Sequence, residues 1–499
     1  MAPANLITIP LEVLIEITSY LDTPSYGAVR LTCRGIEAAL FRTFAHKYFR
    51  KITFMRTEYS LQALIDISKS RLSSYLQHVV ISTQLLSPKQ GFGVRRPPVD
   101  VRENGLVKFN RLCSDQVVLL DTSYDQQMLV EAFRNLNLQV IGIKEHAPCY
   151  VPGRDFSIYG ISHIGRESGV DIRHDMSYHH NDQRKPNASC VLNVLLALGK
   201  SGSRPKRFEI ESFYSRFDDD AFNIPSFIGK TIFPVLSNLE AIDIRVGSRV
   251  MGTFPGRLIG PMPDKLETYH IRKFLSESTQ IKHLCLEQFR HFDGFFKWLT
   301  APRLNESCGR FLGLEPAQPP AFSQLRELEL GWFEVNLHDI TAIVKKFSTT
   351  LRKLTLHDMG LILTDPPKSN YFDEWPKAVA SLARSARCLQ EVHFSRIAVE
   401  AGIVRRKLGF TDDKAGFSYA GPDMEKALGG IVDMLLDDEP QPYEDDEDGD
   451  DENLDISSGD EDLADFEEYL DYIDEYDDLI DGIDDGLAED LMFQTIFGV

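Results

Sequence analysis

Three strings decide the fold of this chain: LRELEL at residues 325–330, LRKLTL at 351–356 and LQEVHF at 389–394. In each, apolar residues hold the first, fourth and sixth places. The last two are two residues apart, which puts them on one face of an extended strand. The residues between them are mostly polar or charged, so the opposite face is polar. Looser copies recur upstream as Leu76-Val79-Ile81, Leu138-Ile141-Ile143, Phe208-Ile210, Leu239-Ile242-Ile244 and Ile281-Leu284-Leu286. The last four units begin at Ile281, Leu325, Leu351 and Leu389, 26 to 44 residues apart. Most are followed by a stretch with helical spacing, as in HDITAIVKKFS at 338–348. One such unit cannot bury its own apolar face, whereas stacked neighbours can. The sequence therefore predicts irregular strand–helix repeats over residues 51–410. The segments GFGVRRPPVDVR around Arg95 and SYHHNDQRKPNAS around His180 read as surface insertions.

Residues 5–50 read as three short helices. Pro10 suits a first helical position and Glu12 places a negative charge in the first turn. Val13, Leu14, Ile17 and Leu21 recur at helical spacing. Asp22-Thr23-Pro24 ends that helix and starts the next, with Thr23 as the expected N-cap. Thr32 is the expected cap of a third helix carrying Ile36, Leu40, Phe44 and Tyr48 on one side. A unit of this size buries little surface alone, so part of its apolar surface must meet the next domain or a partner.

The charge is divided unevenly. From Asp433 onward there are 29 acidic residues and no Lys or Arg, out of 75 acids and 54 bases in all. The body before it holds 75 − 29 = 46 acids against 54 bases, a net of +8. Residues 411–465 read as a linker and a disordered acidic segment. Residues 466–494 differ: Phe466, Ile473, Ile480 and Leu487 fall seven apart, with Tyr469, Tyr476 and Ile483 three further on. That is an amphipathic helix with an acidic outer face, expected to form fully when docked. Ser457 and Ser458, followed by Asp460 and Glu461, are candidate phosphorylation sites. EDDEDGDDENLD at 444–455 only brushes against a calcium-loop pattern, because Asp455 stands where a bidentate Glu belongs.

Several classes are set aside. The longest apolar stretch, around Val194, is about half of a membrane span. The start MAPANLITIP lacks the pattern of a secretion signal, so the expected location is cytosol or nucleus, with no membrane partner. The seven cysteines are scattered and form no CxxC pair, which argues against a disulfide framework or zinc site. No phosphate loop, nucleophile elbow or dinucleotide fingerprint occurs, so no catalytic residue, cofactor or metal is nominated. An enzyme hidden in residues 90–230 would need His179, Asp182 and Arg184 to converge in a pocket. Short basic runs lack an aromatic stacking platform, which argues against nucleic acid. Of the three tryptophans, Trp332 follows a repeat strand directly and is expected to pack in the core.

The stretch IPLEVLIEITSYLDTPSYGAVRLTCRGI resembles the F-box common in fungal proteins. The matching positions are Pro10, Glu12, Leu14, Ile17, Leu21, Asp22, Leu31, Cys33 and Arg34. Ile9, Tyr26 and Ile36 depart from it, standing where Leu, Leu and Trp are usual. The later strings resemble, loosely, the leucine-rich-repeat region that often follows an F-box. The resemblance implies an α/β protein: a three-helix F-box at 5–50, an irregular leucine-rich-repeat-like solenoid at 51–410 and an acidic tail. It implies a non-catalytic substrate-recognition subunit of a ubiquitin ligase. A Skp-type adaptor would bind through Pro10, Val13, Leu14, Ile17, Leu21, Val29, Leu31 and Ile36. A cullin would join through that adaptor, and the repeats would hold a protein target. The alternative is a Skp-bound protein that acts without a cullin.

Overall fold

The structure is a computed structural model. It describes residues 9–21, 23–88, 99–145, 158–170, 172, 184–212, 217, 219–246, 268–287, 293–302, 317–335, 337–362, 380–382, 384–385, 388–401, 404–407, 416–424 and 426–430. The chain opens with three helices, α1 (Leu11–Ser19), α2 (Thr23–Leu31) and α3 (Arg34–Tyr48). Strand and helix then alternate: β1 (Lys51–Phe54), α4 (Glu58–Lys69), β2 (His78–Ser82), α5 (Val99–Asp121), α6 (Tyr124–Phe133), β3 (Val140–Lys144), β4 (Ile158–Tyr159), α7 (Ile161–Ser168), α8 (Arg184–Ser201) and β5 (Arg207–Ser212). The pattern continues with α9 (Ser226–Leu236), β6 (Ala241–Val246), α10 (Tyr269–Glu277), β7 (His283–Glu287) and α11 (Asp293–Thr300). The last part comprises β8 (Glu327–Gly331), β9 (Glu334–Val335), α12 (Leu337–Phe347), β10 (Lys353–His357), β11 (Gly360–Ile362), β12 (Glu391–Ser395), β13 (Ala398–Ala401), β14 (Val404–Lys407) and β15 (Gly416–Ala420).

Eleven strands form one open sheet in the order β15-β12-β10-β8-β7-β6-β5-β3-β2-β1-β4. All pairs in it are parallel except β12 with β15. The protein is thus mixed α/β with a large, mostly parallel sheet. From β1 to β12, each successive strand of that sheet lies beside the one before it, apart from the short β4 at the far edge. Every apolar string of the sequence reading ends in one of these strands. Their alternating residues align across the sheet: Val79 with Ile141, then Phe208, Ile242, Leu284, Leu328, Leu354 and Val392. These residues and buried side chains from α4, α6 and α8 to α12 share one core. Each fully buried Leu or Ile contributes about 1.5–3 kcal/mol, so the continuous row holds the layers together.

The step from strand to strand repeats in the backbone. The N–H groups of Gln77 and His78 both donate to the Arg50 carbonyl, at 3.3 and 3.0 Å. Those of Arg352 and Lys353 share the Arg326 carbonyl, and those of Gln390 and Glu391 share the Arg352 carbonyl, at 2.7 and 2.9 Å in both cases. The same sharing occurs at Gln77, Gln139, Lys206, Glu240 and Lys282. A uniform backbone connection holds the spacing constant while the intervening loops vary in length.

Three features differ from the sequence reading. Residues Val99–Arg102 and Arg184–Ser189, expected in surface insertions, begin α5 and α8. Pro186 is tolerated there because a first helical turn has no N–H partners to lose. Cys33, not Thr32, caps α3, its sulfur accepting from the Ile36 N–H at 3.5 Å; Thr32 donates back to the Val29 carbonyl at 2.7 Å. A second sheet, β14-β13-β11-β9, was not foreseen. It follows from a turn repeated after β8, β10 and β12, where Trp332, Asp358 and Arg396 take φ of 63°, 50° and 48°. Each turn buries the next residue, Phe333, Met359 or Ile397.

Candidate protein-interaction surface

The N-terminal helices present the first surface. Ile36, Leu40, Phe44 and Tyr48 fall on the buried side of α3. Tyr26 fills the space beside them, stacked on Phe44 with ring centroids 6.2 Å apart. Burial, reinforced by neighbouring Tyr48, pushes its phenol up to about 12. Arg30 is 1% exposed, with its guanidinium 3.4 Å from the Phe44 ring centroid and 3.3 Å from Glu37. This packing holds α2 against α3 and fixes which side of α1 and α2 faces outward.

Of the residues expected to form the docking face, Leu14 and Ile36 are buried, each 3% exposed. Leu21 and Val29 are half-buried, and Pro10 is exposed. Val13, Ile17 and Leu31 stand 47%, 42% and 48% exposed. Leu11 and Tyr20 are exposed as well and escaped the sequence reading. Tyr20 completes the i, i+4, i+7 row begun by Val13 and Ile17, and that spacing was the signal that could have found it.

The polar face of the sheet presents the second surface. Its side chains form a chain of ion pairs that crosses from β2 to β10. His78 meets Glu209 at 3.2 Å, and Arg207 meets Glu209 at 2.6 Å and Asp243 at 2.8 Å. Arg245 then lies 3.0 Å from Asp243, 3.2 Å from Glu287 and 3.4 Å from Glu329. His357 ends the chain, 3.5 Å from Glu287. Burial opposes ionisation of Glu209, but His78 and Arg207 hold its carboxyl down to about 2. At the far end burial acts against both charges, yet Arg245 and His357 lower the Glu287 pKa and Glu287 raises that of His357. Burial raises the Cys285 thiol well above its usual range. Its sulfur and the carboxylates of Glu287 and Glu329 lie within 4.8 Å of one another, close enough to share a cation. The Arg245 guanidinium already supplies positive charge to both carboxylates. The network fills the polar face of the sheet with paired charge, and at its centre Cys285, Glu287 and His357 are buried.

Trp332 is partly exposed beneath the Arg396 guanidinium, 5.9 Å from its ring centroid, and Arg396 grips Asp358 at 2.7 Å. Trp298 is buried and donates to the Ala317 carbonyl at 2.8 Å. His179, His180, Asp182, Ser457, Ser458, Trp375, the calcium-loop-like segment and the helix expected at 466–494 lie outside the described residues. Of Arg184 only the backbone is described, at the start of α8. Among the described residues no helix is long and apolar enough to cross a membrane. No known family model matches the chain, and no curated protein matches it.

Proposed function

We propose that the protein is a non-catalytic recognition subunit of a ubiquitin ligase, with residues 5–50 acting as an F-box. The observation that carries this reading is the apolar row on the outer side of α1 and α2. Val13, Ile17 and Leu31, with Leu11 and Tyr20, remain exposed on a unit that has already filled its own core with Leu14, Tyr26, Ile36 and Phe44. Surplus apolar surface on a small helical unit fits a helical adaptor of the Skp type, which would bridge to a cullin. Leu14 and Ile36 then shape the face from beneath, and Pro10, Val13, Ile17, Leu21, Val29 and Leu31 supply the contact. The strand–helix units read as an irregular leucine-rich-repeat-like solenoid whose polar face and connecting loops hold a protein target. Rate comes from proximity, the target's lysines being held near the conjugating enzyme. Location in cytosol or nucleus and phosphorylation at Ser457 and Ser458 belong to the same reading.

The test is a pull-down of the tagged full chain beside the Val13→Asp, Ile17→Asp double variant, probed for Skp and cullin. Both positions are exposed, so the variant should fold, as checked by circular dichroism. Buried, uncompensated charge at a contact costs several kcal/mol. Wild type should bring down both partners and the variant neither. Recovery of Skp without cullin would favour the second reading, a Skp-bound scaffold. Recovery of neither by wild type would end the F-box reading.

A further inference from the structure

The edge of the large sheet where the parallel strands begin is basic. The residues that precede the strands there are Arg50, Gln77, Gln139, Lys206, Glu240, Lys282, Arg326, Arg352 and Gln390, in spatial order along β1 to β12. Five are basic and one is acidic. Glu240 is engaged by Lys206 at 3.3 Å and Lys282 at 2.7 Å. Arg50, Arg326 and Arg352 are exposed and have no ion-pair partner among the described residues. Repeated backbone geometry sets these side chains at the strand spacing of about 4.8 Å, so the row runs along roughly 40 Å of surface.

The chain returns to this same edge as it leaves the sheet. β15 runs antiparallel to β12, with Ala420 opposite Glu391 at the start of that strand. The Gly421 N–H donates to the Gln390 carbonyl at 2.9 Å, and Met424 and Leu428 are buried in the main core. The chain thus passes this edge at Gly421, beside Gln390, whose own N–H donates to the Arg352 carbonyl, and the described residues run on to Gly430, three residues before Asp433. The 69 residues after Gly430 (499 − 430) contain every one of the 29 acids counted from Asp433 and no Lys or Arg. Extended at about 3.3 Å per residue they reach far beyond the row. Tethering supplies a millimolar effective concentration to weak, multivalent charge contacts. We infer that the basic strand-start edge binds the chain's own acidic C-terminal segment, residues 433–499, which covers it against other anionic partners.

Carbodiimide cross-linking of the full chain, read by mass spectrometry on the monomer, tests this inference. Carboxylates from 433–499 should link to Lys51, Lys206, Lys282 and Lys353, several-fold more than to Lys108 on α5 or Lys230 on α9. Links of Lys282 to Glu240 and Lys353 to Glu391 serve as internal standards for the intact edge. The tail links should fall several-fold in 0.5 M salt and in an Arg50→Glu, Arg326→Glu, Arg352→Glu variant. If that variant loses the internal standards, the corresponding Gln substitutions replace it. Tail links spread evenly over all exposed lysines, tail links found only between two copies, or tail links unchanged by the substitutions would each overturn the inference.

Discussion

His78 on β2 holds Glu209 on β5 at 3.2 Å across the width of β3. The two strands are not neighbours; β3 lies between them, and Gly142 of β3 is in register with Val80 on one side and Glu209 on the other. A Cβ at 142 would meet Val80 Cγ2 at 3.1 Å and His78 Nε2 at 3.6 Å. The missing side chain is what leaves the imidazole its path. Gly142→Val should therefore destabilise the protein by about 1–3 kcal/mol through crowding, and Gly142→Ala by less. The urea midpoint should drop for both, with the larger drop for valine. Equal midpoints for all three proteins would mean that the pair does not depend on this gap.

The same contact makes stability depend on acid. Glu209 titrates near 2 in the folded protein, against about 4.3 in an unfolded chain. Its contribution is complete above that unfolded value and is lost as pH falls through the folded one. Glu209→Gln removes the contribution at neutral pH. The stability gap between wild type and variant should be widest above about pH 5 and close as pH drops towards 2. Denaturation midpoints measured at pH 3, 5 and 7 would show it, and a gap constant with pH would refute it.

How legible this was differs by element. The strands were readable because a fully buried apolar residue recurs at every second position, as at Leu354 and Leu356, and the pattern survives any loop length. The second sheet was not readable, because Trp332, Asp358 and Arg396 share a backbone conformation but no side-chain chemistry. Helix α5 was hidden by the RRPP run preceding it. The exposed apolar row of the first two helices was half readable: helical spacing located Val13 and Ile17, but Leu14 and Ile36 obey the same spacing and are buried. Only the packing of Tyr26 and Arg30 around Phe44 decides which side is out. The ion-pair chain lay beyond reach, since its partners are up to 84 residues apart, as with Arg245 and Glu329.

Arg245 is the hinge of that chain. It meets Asp243, Glu287 and Glu329 at once. Arg245→Met keeps the apolar stem and leaves Glu287 and Glu329 close together without a guanidinium, while Asp243 keeps Arg207. Losing one partner of a buried ionic cluster costs about 3–5 kcal/mol. The carboxylates should then retain protons to higher pH, so the variant should be nearest to wild type in acid and fall further behind towards neutral pH. Adding Glu287→Gln should recover part of the loss, because it removes one uncompensated charge. A double variant no more stable than Arg245→Met would argue against charge repulsion as the cause.

Arg30 tests the helical unit alone. Burial lowers its pKa, opposed by Glu37, and its guanidinium lies over Phe44. Arg30→Ala should loosen α2 from α3 and cost about 2–4 kcal/mol locally, from lost packing as well as lost charge. Glu37 keeps Arg71 as a partner, which limits the penalty. Limited proteolysis should cut near Thr32 faster in the variant while the sheet remains protected. Uniform resistance would show that the two helices do not rely on this arginine.

Asp358 combines a left-handed backbone with an ion pair. Its φ is 50°, and Arg396 donates to its Oδ2 from Nε at 3.0 Å and from Nη2 at 2.7 Å. Asparagine tolerates that conformation, whereas a β-branched residue does not. Asp358→Asn loses only charge and should cost about 1 kcal/mol. Asp358→Val loses the pair and adds roughly 1–2 kcal/mol of backbone strain. Denaturation should rank wild type above the asparagine variant and the valine variant last. Because Trp332 takes the same turn, valine at 332 should show the strain while the Asp358–Arg396 pair is kept. If valine at 358 proves no worse than asparagine, the repeated turn is not a strained feature of the fold, and the ion pair alone accounts for the contribution of Asp358.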